Sequence, residues 1–233
     1  MSGSYDVVVI GGGIIGLAAA HALTERAQDL RVVVIEKEIQ TGLHQTARSS
    51  MVMHSGIYYP PSSIKARLCR EGRPLLFAFC EQHQIRLQPR SKTIVATHER
   101  DLSQLEELRQ WGLTNGVQGL ESIGPERLKE VEPHIRGIRA LHLPQVGQVN
   151  FVEVARTLER LLRALGVEVS RGAAVTRIKR EGGGFRVDTA RESVSGRYLI
   201  NCAGLHADRI ALMAGAKPGV RLINCARGGI IDE

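Results

Sequence analysis

The sequence predicts an α/β fold built on a parallel, Rossmann-like sheet, and three observations predict it. A short apolar, β-branched run, Tyr5-Asp6-Val7-Val8-Val9-Ile10, leads into Gly11, Gly13 and Gly16 at G-x-G-x-x-G spacing and then an Ala-rich run. A second such run, Arg31-Val32-Val33-Val34-Ile35, ends in Glu36, 20 residues after Gly16. A further helix entering a strand recurs at 150–169. Continuous β-branched runs are the mark of strands buried on both faces, as parallel sheets require.

Each element of the first unit has a physical role. Gly11 permits the tight turn after the strand, Gly13 lets a pyrophosphate approach the backbone, and Gly16 lets helix and strand pack closely. Ile14 to Leu23 is made of good helix formers, and the helix's N-terminal amides face an anion. Glu36 stands where a carboxylate accepts hydrogen bonds from a ribose diol. A lone glycine motif also describes ordinary turns. Strand, glycines, helix, strand and acid together define a site for an ADP-containing dinucleotide. The glutamate suits FAD or NAD and disfavours NADP, whose 2′-phosphate it would repel.

A polar loop follows, Thr41-Gly42-Leu43-His44-Gln45-Thr46-Ala47-Arg48-Ser49-Ser50, either a cofactor wall or a surface connection. Met51 to Tyr59 comes next, ahead of Pro60-Pro61. The pattern predicts a helix from Ser63 to His83, with Lys65, Arg67, Arg70 and Arg73 interleaved; most such charges form a solvated face. Strands are expected within Ile85–Thr97 and a short helix over Asp101–Trp111. Ala140–Val149 again looks like a strand. Asn150 then reads as an N-cap with Glu153 as its capping-box partner. Phe151, Val154, Ala155, Leu158, Leu161, Leu162 and Leu165 form an apolar stripe that Gly166 ends. Val167-Glu168-Val169 is a strand, Ala173–Ile178 and Phe185–Thr189 a hairpin about Gly182-Gly183-Gly184, and Tyr198–Cys202 a buried strand ending in Ala203-Gly204. Small residues there admit a ligand or tight strand–helix packing.

The totals narrow the function classes. In 233 residues, 43% are hydrophobic and 24% charged, an ordinary globular composition. No apolar run nears the roughly 20 residues that span a bilayer, and the N-terminus lacks a secretory pattern. Four cysteines without a C-x-x-C pair argue against zinc and a disulfide framework, so no metal is expected and a reduced intracellular compartment is the default. The net charge of +7 fits an anionic substrate or a loose membrane contact. Basic residues are dispersed and only 4% of residues are aromatic, so nucleic acid is not an expected partner.

Taken together, Gly11–Gly16 with Glu36, His54-Ser55-Gly56-Ile57-Tyr58-Tyr59, Ser63-Ile64-Lys65-Ala66-Arg67-Leu68-Cys69 and Asn201-Cys202-Ala203-Gly204-Leu205-His206-Ala207-Asp208-Arg209-Ile210 resemble the L-2-hydroxyglutarate dehydrogenases/oxidases. These are flavoenzymes of the D-amino-acid-oxidase-like superfamily. The resemblance runs from Ser4 to about Ala216 and implies FAD, a Rossmann-like FAD-binding domain, and an inserted, incomplete α+β substrate domain. The expected division is 1–80 and 150–216 for the FAD domain, 81–149 for the substrate domain and 217–233 for a tail. The implied chemistry is hydride transfer from C2 of L-2-hydroxyglutarate to flavin N5, giving 2-oxoglutarate, with electrons passing on to a quinone or oxygen. The family's location is cytoplasmic or peripheral at an inner membrane, mitochondrial in a eukaryote.

By the same resemblance, Gly11, Gly13 and Gly16 hold the pyrophosphate, Glu36 the adenosine ribose, and Thr46 and Ser50 the ribityl region. Val175 offers a backbone contact to adenine, and Ala203-Gly204 form the wall near the flavin. His54 serves as base, as a dicarboxylate contact or in packing against the flavin, while Lys65 and Arg67 pair with a substrate carboxylate. The family shows Asn-Ser-Gly where this chain has Ser49-Ser50-Met51. The tail, Gly219 to Glu233, resembles instead the NAD-dependent D-2-hydroxyacid (phosphoglycerate) dehydrogenases, with Arg227 and Asp232 matching their N-x-A-R-G-G-x-x-D-E pattern. Three functions therefore compete: an active flavoenzyme, a truncated FAD-binding fragment without activity, and an NAD-dependent dehydrogenase resting on the tail alone.

Overall fold

A computed structural model describes residues 3–222. The chain forms two compact units, one made of residues up to Ser49 and from Phe151 on, the other of Ser50–Asn150. In chain order the elements are β1 (Gly3–Ile10), α1 (Ile14–Arg26), β2 (Val32–Ile35), α2 (Ile64–Gln82), β3 (Leu87–Gln88), β4 (Lys92–Ala96), α3 (Leu102–Thr114), β5 (Glu121–Ile123) and α4 (Pro125–Val131). They continue as β6 (Arg139–Leu143), β7 (Gln148–Val149), α5 (Phe151–Ala164), β8 (Glu168–Ser170), β9 (Val175–Glu181), β10 (Gly184–Thr189), β11 (Ser193–Asn201) and α6 (Ala207–Met213).

The first unit holds a six-stranded sheet in the order β8-β2-β1-β11-β10-β9. β8, β2, β1 and β11 run parallel, while β10 and β9 return antiparallel through the Gly182-Gly183 turn, where both residues have positive φ. Val8, Ile10, Val33 and Ile35 share a buried cluster with Ala173, Ile178, Val187, Val194 and Ile210. The alternate residues Val7, Val9, Val32 and Val34 are buried outside that cluster. Both faces are therefore covered, which is why these strands are apolar throughout. Fully burying each valine contributes about 1.5–3 kcal/mol. α1 packs beside α5, whose buried stripe is Val154, Ala155, Leu158 and Leu162. Leu165 ends the predicted stripe but is exposed, because the helix stops at Ala164.

In the second unit, β4-β6-β5 form a three-stranded antiparallel sheet and β3-β7 a two-stranded one. The single expected strand over 140–149 is thus two, separated by Pro144–Gly147. Ile57, Ala96, Leu105, Leu141, Leu143 and Val146 make one core and Ile123, Leu128 and Ala140 a second. β5 and α4 fall where the sequence showed only glycine and proline punctuation. Pro125 at the first turn of α4 explains why that helix begins there. α2 starts at Ile64, where the Ser63 side chain accepts the amide of Ala66. The contact division places α2 in the second unit, whereas the resemblance implies a boundary at residue 80.

Candidate functional site

The C-terminal ends of β1, β2 and β11 meet at the glycine loop, the position where doubly wound sheets bind nucleotides. Gly11 has φ +113, and a Cβ there would collide with the carbonyl oxygen of Cys202. A Cβ on Gly16 would collide with the carbonyl of Gly11. These two glycines are required by the protein's own packing. Gly13 is different. Its φ is −75, and the nearest atom to a Cβ is Thr46 Oγ1 at 3.5 Å, an ordinary contact. Nothing in the protein demands glycine at 13. The space kept there fits an external group brought close to the backbone, as a pyrophosphate is.

Glu36 is buried and held by two amides: Gly12 N–H donates to Oε2 at 2.6 Å and Glu38 N–H to Oε1 at 2.9 Å. Each oxygen keeps acceptor capacity for a ribose hydroxyl. A Cβ on Gly12 would lie 2.9 Å from that of Glu36, so the acid and the loop are fitted to each other. Buried Thr46 accepts the amide of Ile14 in its hydroxyl at 3.1 Å, taking one of the four amides of the first turn of α1. Gly42 N–H donates to Gly12 O at 3.0 Å, so the 41–50 loop is sewn to the glycine loop. Thr46 thus bonds to the first turn of α1, a contact that spacing does not reveal.

Ala173 N–H donates to Glu36 O at 2.9 Å, bringing the entry to β9, and Val175 at its start, alongside Glu36. Beyond β11, Cys202 N–H bonds Ile10 O at 2.8 Å, and Ala203-Gly204 open a short 3-10 turn. Gly204 has φ +54 and open space within 4 Å of a Cβ. Burial pushes the Cys202 thiol pKa up. Burial, reinforced by Arg209, Lys37 and His44, lowers that of His206. In Asp208 burial favours the neutral acid, but the amides of Leu222 and Arg209 outweigh it and hold the carboxyl below its usual range.

Ser50, His54, Lys65 and Arg67 belong to the second unit. All four are exposed, and among the described residues Lys65 and Arg67 form no ion pair. The His54 ring lies 6.4 Å from that of Tyr59. Arg73, the most buried charge of the α2 series, donates instead to the carbonyls of Met53, Val146 and Gln145. Burial lowers its pKa. Met51 has φ +60, a conformation glycine adopts without strain, at the position where the resembling family carries glycine. Arg227 and Asp232 lie outside the described residues.

A largely parallel sheet, a glycine loop with open space at Gly13 and a glutamate held by two amides have the geometry of a dinucleotide-binding domain. Sequence comparison gives the family. The profile described as DAO, FAD dependent oxidoreductase, matches residues 6–231, and the chain belongs to that family. The match continues past Ala216 into the segment expected to depart from the family. The chain is 38% identical over 232 residues to the mitochondrial L-2-hydroxyglutarate dehydrogenase of Bos taurus, covering 94% of this chain and 50% of that protein. It is 36% identical over 219 residues to the L-2-hydroxyglutarate dehydrogenase of Escherichia coli, covering 92% and 51%. The chain spans about half the length of the curated relatives it matches. Among solved structures, FAD-bound L-alpha-glycerophosphate oxidase from Mycoplasma pneumoniae aligns with TM-score 0.83 at 26% identity, covering 91% of this chain and 57% of that one. Glycine oxidase from Geobacillus kaustophilus, at TM-score 0.82 and 22% identity, shares the fold, with 92% and 59% covered.

Proposed function

We propose that this chain binds FAD and serves the oxidation of L-2-hydroxyglutarate, or a similar 2-hydroxy acid, to the 2-oxo acid. One observation carries the reading: the opening at Gly13 sits in a chain 35–38% identical, over most of its length, to L-2-hydroxyglutarate dehydrogenases. When bound, FAD supplies the acceptor for the hydrogen and electron pair leaving C2. The chain's own residues hold and orient the reactants.

First-turn amides of α1 hold the pyrophosphate across Gly13, with Gly11 and Gly16 fixing the turn. Glu36 accepts ribose hydroxyls on oxygens already aligned by Gly12 and Glu38. Backbone at Val175 meets the adenine, and Ala203-Gly204 leave room for the ring system. Thr46 acts through the Ile14 amide, and the family resemblance assigns Ser50 to the ribityl chain. In the second unit His54 takes the proton of the C2 hydroxyl. Lys65 and Arg67, without carboxylate partners among the described residues, pair with the substrate's carboxylates. The first unit is then the FAD domain and the second the substrate domain. A quinone or oxygen takes the electrons onward, and any membrane contact is peripheral; no helix among the described residues is long and apolar enough to cross a bilayer.

The test is an absorbance spectrum after incubation with FAD and desalting, followed by anaerobic addition of L-2-hydroxyglutarate. Retained flavin that bleaches supports the whole reading. Retained flavin that does not bleach leaves FAD binding standing and removes the reaction from this chain. No retained flavin overturns the proposal.

A further inference from the structure

The segment 52–61 has no helix and only an isolated bridge at Val52, yet its backbone is held from several directions. Asn115, at the C-terminus of α3 and only 4% exposed, donates both Nδ2 protons: to Gly56 O at 2.9 Å and to Tyr59 O at 2.8 Å. Those carbonyls belong to the two ends of one turn, which Tyr59 N–H closes onto Gly56 O at 3.1 Å. Cys69 Sγ donates to His54 O at 2.9 Å and Arg73 to Met53 O at 3.2 Å. Ile57 anchors the turn in the core at 1% exposure, and a Cβ on Gly112 of α3 would lie 3.3 Å from it.

Ile57 is buried, whereas His54 and Tyr58 of the same segment reach solvent. Tyr59 is half-buried, and Lys92 stacks on the Tyr58 ring at 4.3 Å. Asn115 Oδ1 is buried without a partner among the described residues, which costs free energy that an apolar residue of the same shape would avoid. Flipping the amide would aim Oδ1 at two carbonyls, so the observed orientation is fixed. An asparagine kept at that cost, with both donors spent on one loop, serves the loop's conformation more than the fold's stability.

We infer that Asn115 is a positioning residue: with Cys69 and Arg73 it fixes the His54–Tyr59 turn so that the imidazole and both phenols are presented in one arrangement to a ligand. The role of that face rests on the substrate-binding reading above; the clamp does not. The test uses the whole chain and the variants Asn115→Asp, Asn115→Leu, Cys69→Ala and Cys69→Ser. Amide exchange at Tyr59 and the His54 ring Cε1–H signal report the turn, while exchange at Leu141 and Val9 reports the cores.

Asn115→Asp and Asn115→Leu are expected to speed Tyr59 exchange at least tenfold relative to Leu141 and to broaden or split the His54 signal. Cys69→Ala does the same more weakly, and Cys69→Ser, which restores a donor to His54 O, returns the signal to wild type. If turn and core amides accelerate together and the His54 signal is unchanged, Asn115 is structural only and the inference is overturned. Binding of L-2-hydroxyglutarate is measured separately. Its absence in the wild type would remove the substrate reading and leave the clamp judged by exchange alone.

Discussion

Two glycines separated by one residue should fail in opposite ways. At Gly11 a methyl group meets the Cys202 carbonyl with φ at +113, and neither the β1 end nor the β11 end can retreat without breaking the Cys202 N–H to Ile10 O bond. Backbone strain there costs about 1–3 kcal/mol before the overlap is counted. A loss of about 3 kcal/mol in a chain of this size lowers Tm by roughly 6–12 °C. At Gly13 the methyl group meets only Thr46 Oγ1 at 3.5 Å, with φ at −75. Restricting the unfolded chain stabilises by about 0.4–1 kcal/mol. The preference for glycine over alanine at a helix N-cap offsets it by about the same amount. Gly13→Ala should therefore leave Tm within about 2 °C of wild type. The same methyl group occupies the opening across the first turn of α1, so FAD affinity should fall at least about tenfold, or about 1.4 kcal/mol. Thermal unfolding without FAD and a flavin-fluorescence titration separate the two effects. Wild-type FAD affinity in Gly13→Ala, or a Tm loss equal to that of Gly11→Ala, would refute the assignment of that space to a pyrophosphate.

Three further outcomes follow from the same geometry. Thr46→Val keeps the shape but removes the acceptor of the Ile14 amide, costing about 1 kcal/mol and about 2–4 °C in Tm by calorimetry. Glu36→Gln turns one of two amide-accepting oxygens into a donor facing a donor. It should cost about 2 kcal/mol, or about 4–8 °C, and weaken FAD binding in the same titration. Burial first, then the hydrogen bond to Glu168, raises the Tyr5 pKa to about 12. The folded state therefore holds its proton while the unfolded state loses it near 10. This contribution is whole below pH 10 and lost as pH rises toward 12. Circular dichroism should show a shallower alkaline loss of stability in Tyr5→Phe than in wild type.

What was legible in the sequence was local. β1, α1 and β2 are specified by β-branched runs and by glycines whose necessity is set within a few residues, and Gly11 and Gly16 behave as their spacing required. Ser63 marks a helix start because capping is a property of one turn. β5 and α4 escaped because three-residue strands and seven-residue helices are too short to show a period, and β6 and β7 merged because only residues 144–147 separate them. Thr46 and Asn115 were illegible for another reason. Each spends its hydrogen bonds on backbone 32 and 56–59 positions away, and no spacing rule links an amide to a carbonyl at that distance.

The contrast between the two units carries the functional argument. In the first, Glu36 is held by two amides and keeps acceptor capacity, and Gly13 keeps an open face. In the second, Lys65 and Arg67 are exposed without ion-pair partners among the described residues, while Arg73 of the same helix donates to three carbonyls. The helix thus divides its cations by register. Arg73 is spent on the carbonyls of Met53, Gln145 and Val146, whereas Lys65 and Arg67 are exposed. Substituting Arg73 should therefore lower stability, whereas Lys65→Gln and Arg67→Gln should leave Tm near wild type and weaken dicarboxylate binding in calorimetric titration. A stability loss in the latter pair comparable to that of Arg73→Gln would show that they too belong to the fold.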